Sequence, residues 1–300
     1  MNQENPFNRL LDALTQNLSV LPDKSEENAE NTLCALWQTA AGKPMSPITA
    51  QGLPLPALSA EQFAALELAV QSRLAGVPLA HLTERQHFMG LEYIVNKGLY
   101  IPRKETELLA QTAIATVAED YASNGEVTAV DLCTGIGTVA LAIAHHCGNT
   151  RVFGSDIYAP AIEAAKVNAT HFGLAHRASF FNADLFEPFE SLSLKSGIDI
   201  IVSAPPYISS VKVKDMATEI AQHEPKEAFD AGPFGLSVFN KIIALAPDYL
   251  RPGGCLIFEC GLGQGEFLAK RILANKHYER VTEVLDELGQ VRVLKAIRRA

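Results

Sequence analysis

What most constrains the fold is an alternation that begins at Gly125. Short apolar runs at 127–133, 151–156, 178–181, 198–203 and 255–260 alternate with stretches of helical period. Those stretches fall at 137–146, 159–172, 234–250 and 265–276. Strands that alternate with helices of this length form a parallel sheet covered on both faces. Two closing strand-like runs, 279–285 and 291–297, have no helix between them. One of them is therefore expected to pair antiparallel.

The first part of the chain reads differently. Phe7, Leu10, Leu11, Leu14 and Leu18 recur at helical spacing. A second helix is predicted over 27–41, with Leu33, Leu36 and Trp37 on one face and Trp37 in a core. A loop with four prolines follows at 42–56. Ser59, with Gln62 three residues on, has capping-box spacing and starts a helix over 60–74, which stops at Gly76-Val77-Pro78. Residues 86–101 read as two short strands meeting near Gly90. A further helix runs from Thr106 to about Ala122, ended by Ser123-Asn124-Gly125. The expected organisation is a helical domain over 1–80, a hairpin connector over 81–103, and the sheet domain over 104–300.

Composition removes several classes of function. The 300 residues include 25 Lys and Arg against 34 Asp and Glu, a net charge of −9. A nucleic-acid binder needs a basic surface to displace counterions, so none is expected here. A hydrophobic content of 48% is too high for a disordered chain. The apolar run 139–144 is only six residues, against the roughly 18 of a membrane span. The start of the chain shows no cationic and apolar leader. Cys34, Cys133, Cys147, Cys255 and Cys260 are odd in number and form no Cys-x-x-Cys pair. Neither a disulfide framework nor a metal site is expected, and a reducing, cytoplasmic setting fits.

Chemistry concentrates at the strand ends. The first strand closes with Val130-Asp131-Leu132-Cys133-Thr134-Gly135-Ile136-Gly137. A glycine turn there lets a ligand approach backbone that a side chain would block. In a doubly wound sheet, ligands bind at the carboxyl ends of the strands. Asp156 ends the next strand, 21 residues after Gly135, where an acidic side chain can accept ribose hydroxyls. Capping the helix that starts near Ala159 is its competing role. Together the two features favour a nucleoside-containing ligand. Asn182-Ala183-Asp184 follows the third strand and offers a carboxylate to an adenine amino group, or only a solvated turn. His145 and His146 end a helix and read as surface residues.

The fourth strand leads into Ser203-Ala204-Pro205-Pro206-Tyr207. Two prolines hold a rigid turn at the sheet's functional edge and aim the tyrosine. This resembles the Asn-Pro-Pro-Tyr motif of S-adenosylmethionine-dependent amino-methyltransferases. There the Asn and the following carbonyl accept hydrogen bonds from the nitrogen being methylated, and the ring packs on it. The resemblance extends to Pro78 through Leu91, Ile101-Pro102-Arg103-Lys104-Glu105-Thr106, Glu224-Pro225-Lys226-Glu227-Ala228, Gly232, Gly235-Leu236, Leu250 through Gly254, Glu259 and Gln264-Gly265-Glu266. Over about 77–300 the chain resembles the HemK (PrmC) family, which methylates the glutamine amide of peptide release factors.

The resemblance implies an α/β class I methyltransferase fold: a Rossmann-like, seven-stranded, mostly parallel sheet with a helical N-terminal domain and hairpin connector. It implies S-adenosylmethionine as methyl donor. The residues it places around that donor are Asp131, Cys133, Thr134, Gly135, Gly137, Asp156, Ile157, Asp184, Leu185 and Ser203. Arg103 and Thr106 join them from the segment placed over the pocket, with Glu105 beside them. Ala204, Pro205 and Tyr207 form the catalytic turn. His87, Phe88 and Tyr93 line the acceptor pocket or pack a core, and Glu224 is either a loop cap or a working part of the resembling motif. The segment 209–231 is read as a cover, partly helical at 215–222.

Two departures matter. The family has Asn where this chain has Ala204, and usually Gly where it has Cys133. An Asn side chain donates and accepts at once, and alanine does neither. Four readings stay open. The first is N-methylation of another acceptor, a small-molecule amine or guanidine of specialised metabolism. The second is cyclisation of S-adenosylmethionine itself: its α-amine attacks its γ-carbon, giving azetidine-2-carboxylate and methylthioadenosine. The third is release-factor glutamine methylation despite Ala204. The fourth is a binding protein that kept the donor pocket. The expected partner is a small molecule, with a release factor as the alternative.

Overall fold

The computed structural model describes residues 5–121 and 125–300. It divides into two units, Met1–Lys104 with Ala217–Glu224, and Glu105–Met216 with Pro225–Ala300. No described helix is long and apolar enough to cross a membrane.

The first unit holds α1 (Pro6–Asn17), α2 (Ala29–Ala40), α3 (Pro47–Ala50), α4 (Ala60–Leu74) and α5 (Leu79–Thr83). Leu10, Leu14, Leu33, Leu36, Leu66, Val70 and Leu79 form its core. Trp37 lies between Phe7 and Phe63, ring centroids 5.9 and 6.2 Å away, and its indole donates to the Pro56 carbonyl at 2.9 Å. The capping box of Ser59 and Gln62 closes as the spacing predicts. Residues 42–56 are not all loop: Ser46 caps α3, and Pro47 starts it. A proline at the first helical position has no hydrogen bond to lose there. The hairpin is β1 (Arg85–Phe88) against β2 (Leu91–Ile94). Met89 and Gly90 turn it with φ of 50° and 78°, the sign that matches strand twist.

The second unit runs α6 (Glu107–Asp120), β3 (Val127–Leu132), α7 (Thr138–His146), β4 (Thr150–Asp156), α8 (Ala159–His171), β5 (Ala178–Asn182), α9 (Glu187–Ser191) and β6 (Ile198–Ser203). After α10 (Thr218–His223), which belongs to the first unit, come α11 (Ser237–Tyr249), β7 (Leu250–Glu259), α12 (Gly265–Ala274), β8 (Tyr278–Leu285) and β9 (Val291–Arg298). The sheet order is β5-β4-β3-β6-β7-β9-β8. The first five strands in that order are parallel, and β9 is antiparallel to both neighbours. Order reverses between β3 and β6, so the crevice at their carboxyl ends is the ligand position of this topology.

Several predicted limits shift. The helix expected from 234 starts at Ser237, because Gly235 holds φ +69° and a Cβ there would lie 2.5 Å from the Tyr207 carbonyl. β7 starts at Leu250, already paired with Ile198, rather than at 255. α12 stops at Ala274, short of 276. The predicted helix end at Ala122 and its stop at Ser123-Asn124 lie outside the described residues.

Acidic residues tie 217–224 into the first unit. Arg73 bridges Glu27 and Glu219, each at 2.9 Å, and Lys24 lies 3.5 and 3.6 Å from the same two carboxylates. Glu224 is no simple loop cap: its carboxylate accepts the Ile101 N–H at 3.0 Å and pairs with Arg103.

Candidate functional site

The β3 end is built around a buried carboxylate. Asp131 accepts the Thr134 hydroxyl at 2.7 Å and the Ala140 N–H at 3.1 Å. Burial nevertheless pushes it up to about 7. The carboxylate thus clasps the turn between β3 and the start of α7. Within that turn Cys133, Gly135 and Gly137 take φ of 58°, 55° and 82°. Cys133 accepts a left-handed conformation that favours glycine. Burial, with Asp156 and Asp131 alongside, pushes its thiol up, so it stays neutral. A Cβ on Gly137 would come within 3.0 Å of Leu141 and Phe180, whereas one on Gly135 would meet nothing within 4 Å. Gly137 therefore serves packing, and Gly135 faces open space.

Asp156 faces the same turn from β4. One carboxylate oxygen accepts the Gly135 N–H and the other the Tyr158 N–H, both at 2.9 Å. Ile157 is a third backbone donor to this carboxylate, which leaves acceptor capacity for a ribose hydroxyl. The helix-capping role and the ligand role thus coexist in one side chain. Ile157 follows, exposed. Its carbonyl and that of Asp156 accept the Asn182 amide at 2.9 and 3.0 Å, which ties β4 to the end of β5. Leu185 is buried at φ +47°, and its carbonyl accepts the Ser155 hydroxyl at 2.7 Å. Asp184 is paired with Lys241 at 2.9 Å, on the surface.

β6 supplies the other wall. Ser203 pairs in register with Leu132 and donates to its carbonyl at 2.8 Å. That bond fixes the Ala204-Pro205-Pro206-Tyr207 turn beside Cys133. Pro205 is buried and Ala204 half-buried. The Gln264 amide donates to the Tyr207 carbonyl at 3.1 Å, while its oxygen accepts the Gly261 N–H at 2.9 Å. Thr106, buried at the start of α6, lies by Glu259 at the end of β7. Glu259 is sealed from solvent, and its Oε2 closes no hydrogen bond. Arg292 stands 3.5 Å from its other oxygen. Burial pushes both Glu259 and Tyr207 up.

The structure thus gathers Thr106, Asp131, Cys133, Thr134, Gly135, Gly137, Asp156, Ile157, Asp184, Leu185, Ser203, Ala204, Pro205 and Tyr207 in one unit, on strand ends or the loops and helix start that follow. Arg103 belongs to the other unit, buried and paired with Glu224. Phe88 and Tyr93 are buried against each other, centroids 6.2 Å apart, and so pack a core. His87, on the opposite face of the hairpin strand, is half-buried. Three contributors have no role that the sequence alone assigns: Gly154, Glu259 and Gln264. A Cβ on Gly154 would fall 2.6 Å from Phe180 and 2.9 Å from the Thr134 hydroxyl. The signals are a glycine inside a strand and a lone charge inside the apolar run 255–260.

A nucleoside fits this edge. Asp156 keeps acceptors free, and the space over Gly135 is open. The methyltransferase small domain model matches residues 106–283. The release factor glutamine methyltransferase of Moorella thermoacetica is 34% identical over 233 residues, 77% of this chain and 78% of that protein. The protein of the same name from Xylella fastidiosa is 38% identical over 213 residues, 71% and 73% of the two chains. Among solved structures, the ribosomal protein L11 methylase of Lactobacillus delbrueckii subsp. bulgaricus superposes with a TM-score of 0.47 at 18% identity, covering 68% and 84%. With this sheet order, this strand-end turn and these relatives, the chain belongs to the HemK-like family of class I methyltransferases, which use S-adenosylmethionine.

Proposed function

We propose that this enzyme methylates a nitrogen of a small amine- or guanidine-bearing acceptor rather than the release-factor glutamine amide for which its relatives are named. One observation carries this reading. The residue after Ser203, at the mouth of the catalytic turn, is Ala204, half-buried and without a polar side chain. A carboxamide held there loses both a donor and an acceptor. Leaving such a group unpaired in a dehydrated site costs roughly 1–3 kcal/mol, about 10- to 100-fold. A site built for glutamine gains nothing from that loss.

The other residues keep their roles. Bound at the β3 turn, S-adenosylmethionine supplies a methyl group made electrophilic by its sulfonium. Asp156 takes the ribose hydroxyls, Gly135 leaves the space they need, and Asp131 holds the turn through Thr134 and Ala140. Asp184 offers its oxygen to the adenine amino group once it shares or releases Lys241. Pro205 and Pro206 stiffen the turn that presents the Tyr207 ring to the acceptor. Orienting two reactants in this way supplies much of the rate in a displacement.

The same observation favours a second reading. An intact donor turn beside an empty acceptor grip also suits cyclisation of S-adenosylmethionine, in which the α-amine displaces the sulfur from the γ-carbon. One incubation separates the outcomes. The protein is given S-adenosylmethionine alone, then with a release-factor domain, then with a panel of alkylamines and guanidines, and products are read by mass spectrometry. S-adenosylhomocysteine forming with an amine or guanidine supports the proposal. Methylthioadenosine without acceptor assigns the cyclisation, and methylated release factor overturns both.

A further inference from the structure

Between the Tyr207 turn and α11 the chain makes an excursion. It leaves the second unit after Met216, runs through 217–224 in the first, and returns at Pro225. Within the second unit, the outgoing and returning stretches are closed on each other. The Ile208 N–H donates to the Phe229 carbonyl at 3.1 Å, and the Ala231 N–H to the Ile208 carbonyl at 2.9 Å. The Ser210 N–H donates to the Gly232 carbonyl at 3.0 Å, and its hydroxyl to the Asp230 carboxylate at 2.6 Å. This neck begins right after Tyr207, whose carbonyl accepts the Gln264 amide at 3.1 Å.

Within the first unit, α10 is held by charge. None of its residues is buried, so apolar packing adds little to the hold. Glu219 accepts Arg73 at 2.9 Å and lies 3.6 Å from Lys24. Just past the helix, Glu224 accepts the Ile101 N–H at 3.0 Å and pairs with Arg103. The group around Glu219 is incompletely paired. Lys24 Nζ, Arg73 Nε and Glu219 Oε1 are sealed from solvent and close no hydrogen bond. Such groups carry a desolvation cost that release to water relieves.

We propose that Glu219 is a positioning residue for the Tyr207 turn: by pairing with Arg73 it pins α10 as a strap, and the pinned strap keeps the neck at Ile208–Ser210 closed. Closing the neck costs the entropy of the loop it encloses. With α10 pinned, much of that loop is already ordered. With α10 released, the hydrogen bonds of the neck alone must order it. The neck then opens by local unfolding, and the turn that carries Tyr207 loses its support on that side. This inference goes beyond the acceptor reading and holds whichever acceptor is used.

Residue-resolved hydrogen exchange on the full chain tests this without an acceptor. In Glu219→Gln the Ile208, Ser210 and Ala231 amides should exchange about 10- to 100-fold faster, the worth of one hydrogen bond to a charged group. Amides of β3 and β6 should keep their wild-type rates. Glu27→Gln disturbs the same ion cluster but leaves Glu219 its bond to Arg73. It should lower the urea midpoint of the first unit and leave the neck amides unchanged. Faster exchange confined to 217–224 in Glu219→Gln overturns the proposal. So does equal acceleration of the neck by Glu27→Gln, the mark of a merely structural cluster. If Glu219→Gln fails to fold, Gly-Ser spacers inserted after Met216 and after Glu224 decide alone, because they keep every ion pair and slacken the strap. The α10 amides should then stay protected while the neck amides exchange about threefold faster for a doubled loop. Neck amides at wild-type rates in that chain overturn the proposal.

Discussion

Replacing Arg73 by methionine should destabilise the first unit more than any surface change. Arg73 and Glu27 are each 1% exposed in their side chains and lie 2.9 Å apart. Arg73 also holds Glu219 at 2.9 Å and the Val77 carbonyl at 3.2 Å. Lys24 completes the group, so two cations face two anions away from water. Removing Arg73 leaves Lys24 alone against both carboxylates. Breaking a buried pair from one side costs about 3–5 kcal/mol, because the remaining charge is stranded. Glu27, already pushed up by burial, would take a proton and cap the loss near the lower figure. With a urea slope of about 2 kcal/mol per molar, the midpoint should fall by about 1.5 M. Trp37, the single tryptophan, lies in this unit's core and reports its unfolding by fluorescence. The double variant E27L/R73M should recover much of the loss, since apolar replacement of a buried pair is close to neutral. A shift below about 0.5 M for Arg73→Met (about 1 kcal/mol), or a double variant no better than the single, would refute the reasoning.

Three further outcomes are expected. Asp156→Asn should weaken S-adenosylmethionine binding by about 10- to 100-fold, the loss of a charged acceptor; calorimetry showing less than about threefold would remove Asp156 from the donor site. Gly154→Ala should lower the melting temperature through about 1–3 kcal/mol of overpacking against Phe180, and Phe180→Leu in the same chain should restore part of it. His81 is buried, its ring nitrogen 3.0 Å from the Leu99 carbonyl, and burial pulls it down to about 4 from 6.5. The unfolded chain therefore binds the proton that the folded chain refuses. Stability should be complete above about pH 6.5 and fall by up to about 3 kcal/mol as pH drops toward 4. Urea midpoints at pH 7 and 5 should differ less in His81→Gln, and an unchanged difference would count against the assignment.

How much of this was legible beforehand follows from the range over which each feature is determined. The strands and helices of the sheet unit are set by local period and by nearby glycines, so β3, β6, α7 and α8 fall within a residue or two of expectation. The turn after β3 was legible for the same reason: Asp131, Gly135 and Asp156 meet at strand ends whose adjacency the alternation implies. The miss at α3 is also local, since four prolines read as loop while one of them starts a helix behind Ser46. Other features are invisible to any local pattern. Arg292 reaches Glu259 only because β9 returns antiparallel beside β7. Glu219 and Glu224 lie in a segment that reads as a polar cover, yet their partners stand 146 and 121 residues away in sequence. Charge at such positions looks solvated until the fold encloses it. Ala204 is the opposite case: it is conspicuous only against a motif, and nothing in its packing is strained. Its effect lies in the hydrogen bonds it cannot make, which is why the acceptor must be identified by chemistry at the turn rather than by the sheet that carries it.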